Sequence, residues 1–410
     1  MKIIDLCARE IFDSRGVPTL EARVALKDGT IGCGSAPSGA STGSHEAHEL
    51  RDGGDAYGGK GVSRAIENVN GPIREAILGM DAALQGRVDD RLRELDASED
   101  KSRLGGNALI AVSWAIADAA ARSAGVELYE WLGGVQARQL PCPMFNVING
   151  GRHADNDLEI QEFMFVPSGA DSFHEAMRMG AECYQALRRL LSEAGLSTAV
   201  GDEGGFAPNL GRDEQALDWM MRAIEAAGWR PGEDVSLALD CAAAEWADGD
   251  GYRQCKSGAH YQQGELIELY NALADRYPLI SIEDPLGEED FEGFRELTDA
   301  LGEDLMIVGD DLFTTNTGRL LRGLALGAAN AILIKPNQIG TVSETIETVH
   351  LARRNAYNVI VSHRSGETLS SAIADLAVAV NAEYIKAGAP ARGERLAKYN
   401  RLLEIEDRLF

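Results

Sequence analysis

The chain has no apolar stretch near the ~18 residues that a membrane span requires, and its N-terminus, MKIIDLCAREIFDSRG, has no apolar signal-peptide region. It also has no CxxC pair: its six cysteines, at 7, 33, 142, 183, 241 and 255, are scattered over 410 residues. That scatter argues against a disulfide scaffold and a cysteine zinc site and for reduced thiols. These absences together predict a cytoplasmic protein. Positive charge is scarce, with 39 Lys and Arg against 65 Asp and Glu, a net charge of −26. Nucleic acid and anionic membranes are bound through positive charge, so no nucleic acid and no membrane is expected as a partner. An anionic small molecule stays open, because local charge and bound metal decide that. Lysine is scarcest, 8 against 31 arginines, so each one is conspicuous. GxxxxGK[ST] is missing, so the Gly/Ser segment Ser38 to Gly43 is no nucleotide phosphate loop. A lid, an extra metal ligand and a plain linker all remain readings of it. There is no short repeat and no low-complexity segment.

What is present is a series of short apolar runs that break off at a titratable residue. Thr198-Ala199-Val200 leads through Gly201-Asp202 to Glu203, and Ser236 to Leu239 ends on Asp240. Leu279 to Ile282 ends on Glu283, Met306 to Gly309 on Asp310, and Ala331 to Ile334 on Lys335. Val359 to Ser362 ends on His363, and Glu383 to Ile385 on Lys386. From Asp240 onward these residues stand 43, 27, 25, 28 and 23 apart, about one strand plus one helix each time. Short buried strands alternating with helical patterns predict parallel βα units. In a closed βα barrel the strand ends share one mouth. The pattern therefore predicts four acids, two lysines and a histidine in one place.

Ahead of this series, Ile3-Ile4, Thr19 to Leu26 and Thr30 to Cys33 read as strands, the last two joined by the turn Lys27-Asp28-Gly29. Helical patterns follow at about 61–79, 85–95 and 106–124, the last rich in alanine and expected to be buried. Gly133-Gly134, Pro141 and Pro143 mark a boundary. The expected organisation is α/β: an N-terminal α+β domain over 1–135 and a barrel over 136–410. The barrel is expected to open irregularly. Met144 to Ile148 and Ile160 to Val166 are strand-like, and no helix fits in the 149–159 link, which predicts a hairpin followed by helices at about 171–194 and 213–227.

Asp240, Glu283 and Asp310 at successive strand ends form an oxygen-only set suited to a hard divalent cation, magnesium before zinc. Asp311 is expected to face a helix terminus. Lys335, partly desolvated and near a metal, can have a lowered pKa and act as a base, and a lysine that simply pairs with Asp310 or Glu283 is the other reading. Lys386 reads as an anchor for phosphate or carboxylate. Glu203, on the glycine-flanked loop Gly201 to Gly205, is either a general acid with a raised pKa or a solvated turn acid. His363-Arg364-Ser365 supplies several donors for an anion, and His153 lies in the turn-rich Asn149 to Ala154. His45, His48, His174, His260 and His350 read as surface or packing residues. A lysine facing an acid across magnesium fits proton abstraction alpha to a carboxylate, followed by loss of a β leaving group. The metal charge is what makes the doubly negative enolate accessible. Glycoside hydrolysis by paired acids would leave the lysines idle.

Longer motifs add a resemblance. They include Asp13-Ser14-Arg15-Gly16, Ala36 to Gly43, Glu49 to Gly53, Asn149-Gly150-Gly151 with His153-Ala154, and Gln161 to Met164. Val200 to Gly205, Ser281 to Asp284, Val308 to Phe313, Ile334-Lys335 with Asn337 to Gly340, Ser362 to Thr368 and Ala397 to Asn400 continue the series. In this order the chain resembles the enolases, or phosphopyruvate hydratases, over nearly its whole length. The resemblance implies a barrel with a ββαα start, dehydration of 2-phosphoglycerate to phosphoenolpyruvate, two Mg2+ ions and a homodimer or larger homo-oligomer. It implies that Lys335 is the base and Glu203 the acid, with Glu162 assisting. Asp240, Glu283 and Asp310 would hold the first Mg2+, and Ser41 would join the second. His153, Gln161, His363, Arg364, Ser365 and Lys386 would contact a small phosphorylated acid. The chain departs from the family pattern at Arg152, Pro336, Leu369 to Ser371, Ala387 and Gly393. Most of these are expected on the substrate side, which keeps open a relative acting on another phosphorylated or phosphonylated acid, of the carboxyphosphoenolpyruvate synthase kind.

Overall fold

The computed structural model describes residues 1–40, 43–249 and 251–410. Strands β1 (Ile3–Phe12), β2 (Pro18–Leu26) and β3 (Ile31–Ser35) form an antiparallel sheet in that order. β1 is far longer than Ile3-Ile4. It is an edge strand with one open face, so its apolar alternation is weak, and pairing with β2 extends it, from Ile3 opposite Leu26 to Phe12 opposite Pro18. The helix Gly106–Ala124 packs on this sheet and is buried along most of its length, as its composition predicts. Contact is close because β3 is thinned by glycine: a Cβ at Gly34 would lie 2.3 Å from the Ala111 carbonyl oxygen. The same helix touches Pro336–Ile339 and Val342–Arg354, so it joins the two parts of the chain. The helix expected over 61–79 runs from Ser63 to Ile77 and widens at Val69–Ile73, around Pro72.

The second part is a closed eight-stranded barrel. β4 (Cys142–Asn149) and β5 (Glu162–Val166) form the expected hairpin, and the helices Phe173–Glu193 and Asp213–Ala226 follow it. β6 (Ser236–Asp240) comes next, then a small sheet of β7 (Ala247–Asp248), β8 (Gly251–Arg253) and β9 (His260–Tyr261). β10 (Leu279–Glu283), β11 (Met306–Gly309), β12 (Ala331–Ile334), β13 (Asn358–Ser362) and β14 (Tyr384–Lys386) alternate with helices, and β14 closes on β4. Only β5 runs antiparallel to its neighbours. Alternation along the strands splits the core in two. Met144, Met164, Ala238, Val308, Leu333 and Ile360 fill the barrel, whereas Phe145, Phe163, Leu239, Ile307, Ile334 and Val361 pack under the helices. Among the described residues no single helix is long and apolar enough to cross a membrane.

Candidate active site

Strand register builds the rim of the mouth. Asp240 lies opposite Glu283 of β10 on one side and opposite Glu162 of β5 on the other. Because β5 is antiparallel, its first residue, not its last, reaches the mouth. Lys386, at the end of β14, extends its ammonium into this row. Nζ lies 2.8 Å from Glu283 Oε2 and 3.2 Å from both Asp240 Oδ2 and Glu162 Oε2. Gln161 donates from Nε2 to Asp240 Oδ2 at 3.4 Å. Lys335 follows β12 and forms an ion pair with Asp310, whose other oxygen accepts from Gln338 Nε2 at 2.9 Å.

Six of the seven predicted charged positions sit where their strands end. The seventh differs: Thr198 to Val200 is no barrel strand, and Val200 makes a single bridge to Phe206. The chain there folds back on Asn149, and a Cβ at Gly205 would stand 2.5 Å from Asn149 Oδ1. Glu203 therefore enters the mouth on a loop and is 2 % exposed, which rules out the solvated turn acid. Its Oε2 accepts from Asn146 Nδ2 at 2.9 Å and faces His363 Nε2 at 3.4 Å. Its Oε1 accepts from Ser365 Oγ at 2.9 Å. His153 Nδ1 lies 3.5 Å from Glu162 Oε1 and 3.8 Å from Glu203 Oε1, and its Nε2 is 3.4 Å from Ser365 Oγ. Arg364 grips Glu46 through two contacts, at 2.8 and 3.1 Å.

Burial sets the electrostatics. It pushes the Glu162 carboxyl well above the usual range, and the charge of Glu203 adds to this. Burial also acts on Glu203, but the imidazoles of His363 and His153 outweigh it and hold Glu203 well below that range. The two buried carboxyls are therefore pushed in opposite directions, Glu162 towards its protonated form and Glu203 towards its ionised form. The expectation of a raised Glu203 pKa is thus met by its neighbour instead. Lys335 takes up the pairing with Asp310. Burial lowers its pKa, but the Asp310 carboxylate more than reverses that, so the ammonium form is favoured. Burial likewise opposes the charge of Lys386, and Glu162, Glu283 and Asp240 together overcome it. Asp311 lies in the turn after β11, where its backbone N–H donates to Asp284 Oδ2 at 2.8 Å. It stands beside Asp284 and Asp310, and burial with the Asp310 charge pushes it up to about 8.

A small cavity of about 30 Å3 is lined by His153, Gln161, Glu162, Glu203, Asp240, Asp310, Lys335, His363, Arg364, Ser365 and Lys386, with Asp284 and Asp311. Glu283 is reached through Lys386, and Ser41 lies outside the described residues. None of the departures at Arg152, Pro336, Leu369 to Ser371, Ala387 and Gly393 lines this cavity. Arg152 Nε instead pairs with Glu245 Oε2 at 2.8 Å, at the surface. Leu369, Ser370 and Ser371 line a separate cleft of about 810 Å3 beside the N-terminal sheet. Pro336 and Ser370 line a further small pocket together with Ser362 and Arg364, two residues that also line the mouth cavity.

The acids suit a divalent cation. Asp240 and Glu283 converge on one cationic point, the Lys386 ammonium, while Asp310 answers Lys335. Burial and then the Asp240 charge push Glu283 well above the carboxylate range, with Asp310 adding to this. Among the described residues Gln161 Oε1 is buried without a hydrogen-bond donor, and Glu162 Oε2 faces the Lys386 ammonium at 3.2 Å. Buried carboxylates that repel one another, beside an amide oxygen with no donor, are a donor set for a hard cation. Asp284, Asp310 and Asp311 also bring oxygens within 4.8 Å of one another, as do the donors of His153, Glu162 and Glu203.

Sequence reading missed Asn146, Glu46, Gln338, Asp284 and Arg395. Asn146 carries a visible signal, a buried amide in the apolar run Met144 to Ile148. The others reach the mouth from helices or loops whose local pattern is ordinary. Residues 3–132 match the family model described as enolase, N-terminal domain, and residues 137–410 the one described as enolase, C-terminal TIM barrel domain.

Proposed function

Since the chain belongs to the enolase family, we propose that it dehydrates 2-phosphoglycerate to phosphoenolpyruvate as a magnesium-dependent lyase. The observation that carries this reading is that one cavity holds both Lys335 and the Glu162–Glu203 pair, with Arg364, Ser365, His153 and Lys386 around them. Lys335 takes the C2 proton, the electron pair moves into the substrate carboxylate, and the C3 hydroxyl departs with a proton delivered by the Glu162–Glu203 pair. One C–H and one C–O bond break, the C2–C3 double bond forms, and the net loss is water. Asp240, Glu283 and Asp310 would hold Mg2+, with Ser41 at a second ion. Bound Mg2+ supplies the positive charge that offsets the enolate dianion. Lys335 must first lose its own proton, which requires Asp310 to turn from the lysine. Arg364, Ser365 and Lys386 bind the phosphate and carboxylate, exchanging internal carboxylates for those of the substrate. The same reading proposes a cytoplasmic homodimer or larger homo-oligomer, to be sized by light scattering.

The test is enol absorbance on mixing 2-phosphoglycerate and Mg2+ with the protein; no turnover by folded, metal-binding protein refutes the substrate assignment. The residue roles are tested separately. Lys335→Ala should abolish exchange of the C2 proton with solvent, whereas Glu203→Gln should spare exchange more than turnover. Equal loss of both activities in both variants would contradict the division.

A further inference from the structure

Arg395, near the start of the helix Gly393–Leu409, is completely buried, among the largest side chains so enclosed. Its Nε lies 3.5 Å from Glu394 Oε1, but its two terminal nitrogens point elsewhere. One donates to the Arg364 carbonyl at 2.7 Å and to the Nδ1 of His363 at 2.6 Å. The other donates to the carbonyls of Ser365 at 2.5 Å and Asp202 at 3.1 Å. One guanidinium therefore ties together the loop after β13 and the loop that carries Glu203.

The contact with His363 has a consequence fixed by donor counting. A guanidinium has only N–H donors and keeps its proton in proteins. The ring nitrogen that meets it must accept, so His363 Nδ1 bears no hydrogen. Burial brings the His363 imidazole down to about 4, with the Arg395 charge adding to this and Glu203 opposing it. The ring is then neutral at pH 7 and its single proton sits on Nε2, which faces Glu203 Oε2 at 3.4 Å. We infer that Arg395 is a positioning residue that locks His363 in the Nε2–H tautomer, so that His363 can only donate to Glu203. His363 is then neither a base nor a proton relay. It is the third donor on the acid, after Asn146 and Ser365.

The functional consequence rests on Glu203 acting in the proposed dehydration; the tautomer does not. The experiment is two-bond 1H–15N correlation of ring-labelled histidines in the full-length protein without substrate, with His363 assigned by its loss in His363→Gln. The expected result is a neutral His363 with protonated Nε2 and bare Nδ1 across pH 6–8. Protonated Nδ1, or a charged ring, at pH 7 would overturn the proposal without any variant. In folded Arg395→Met the pure Nε2–H pattern should give way to a mixture of tautomers, and an unchanged pattern would also overturn it. Arg395→Lys keeps a donor-only group, so it should restore the tautomer and bring kcat back above that of Arg395→Met while leaving KM within a factor of ~2. A rise in KM alone with Arg395→Lys would count against positioning. Lack of turnover by the unaltered protein would sink the lyase reading and leave the tautomer result standing.

Discussion

Lys386→Met removes the charge at the centre of the site while keeping most of the side-chain volume. Lys386 is 2 % exposed, and its ammonium meets three carboxylates at 2.8–3.2 Å, each of them nearly as buried. Deleting one partner of a buried pair leaves charge uncompensated and costs ~3–5 kcal/mol. With ~2.1 cal/mol/K of unfolding entropy per residue, 410 residues give ~0.9 kcal/mol per kelvin, so the melting temperature should fall by ~4–6 °C. The pH dependence follows from the carboxylates. A carboxyl whose folded pKa is raised, as at Glu162 and Glu283, has no stability cost below the unfolded value of about 4.3, and the cost grows as pH rises towards the folded value. Removing the lysine raises those folded values further. The gap between unaltered protein and variant should therefore be widest at pH 7–8 and narrow towards pH 4–5. In the unaltered protein the contribution of Lys386 itself, whose folded pKa is raised, is lost only as pH climbs above the ordinary lysine value. Calorimetry in chelator, then with Mg2+ added, provides the assay, and the cation should narrow the gap. An unchanged melting temperature at pH 8, or a gap that widens on acidification, would refute the reasoning.

Asp213 accepts from the backbone N–H of Glu159 and Ile160, and burial pushes its carboxyl up to about 7. Its cost is absent below about pH 4 and complete above about pH 7, so Asp213→Asn should add up to ~4 kcal/mol at pH 8 and nothing at pH 4; a uniform gain would contradict this. Gly34→Ala drives a methyl group into the backbone of the helix Gly106–Ala124 and should cost ~1–3 kcal/mol in chemical denaturation. Arg152→Ser breaks a surface pair with Glu245 and should leave substrate preference unmoved, read as relative kcat/KM for 2-phosphoglycerate and a phosphonylated analogue.

The barrel was legible because its strands are short, apolar and buried, so each one stops where polarity begins. The hairpin of β4 and β5 was legible from a link too short for a helix. β1 was not, since an edge strand owes its length to its partner and not to its own pattern. The run at Thr198 to Val200 misled for the opposite reason: it is locally strand-like, yet no neighbouring strand has a free edge for it to pair with.

The candidate site divides in the same way. Residue type and position already brought Asp240, Glu283, Asp310, Lys335, His363 and Lys386 to one mouth, because a barrel converts spacing along the chain into a shared rim. How those groups are charged was decided by the fold. Whether a lysine favours its ammonium, which of two glutamates is pushed towards its protonated form and which ring nitrogen of a histidine is bare depend on partners outside the local segment, 25 residues away for Lys335 and 32 for His363, brought within hydrogen-bond range at a buried site. Local sequence determines which groups arrive; only tertiary packing sets the distances and desolvation that determine their protonation.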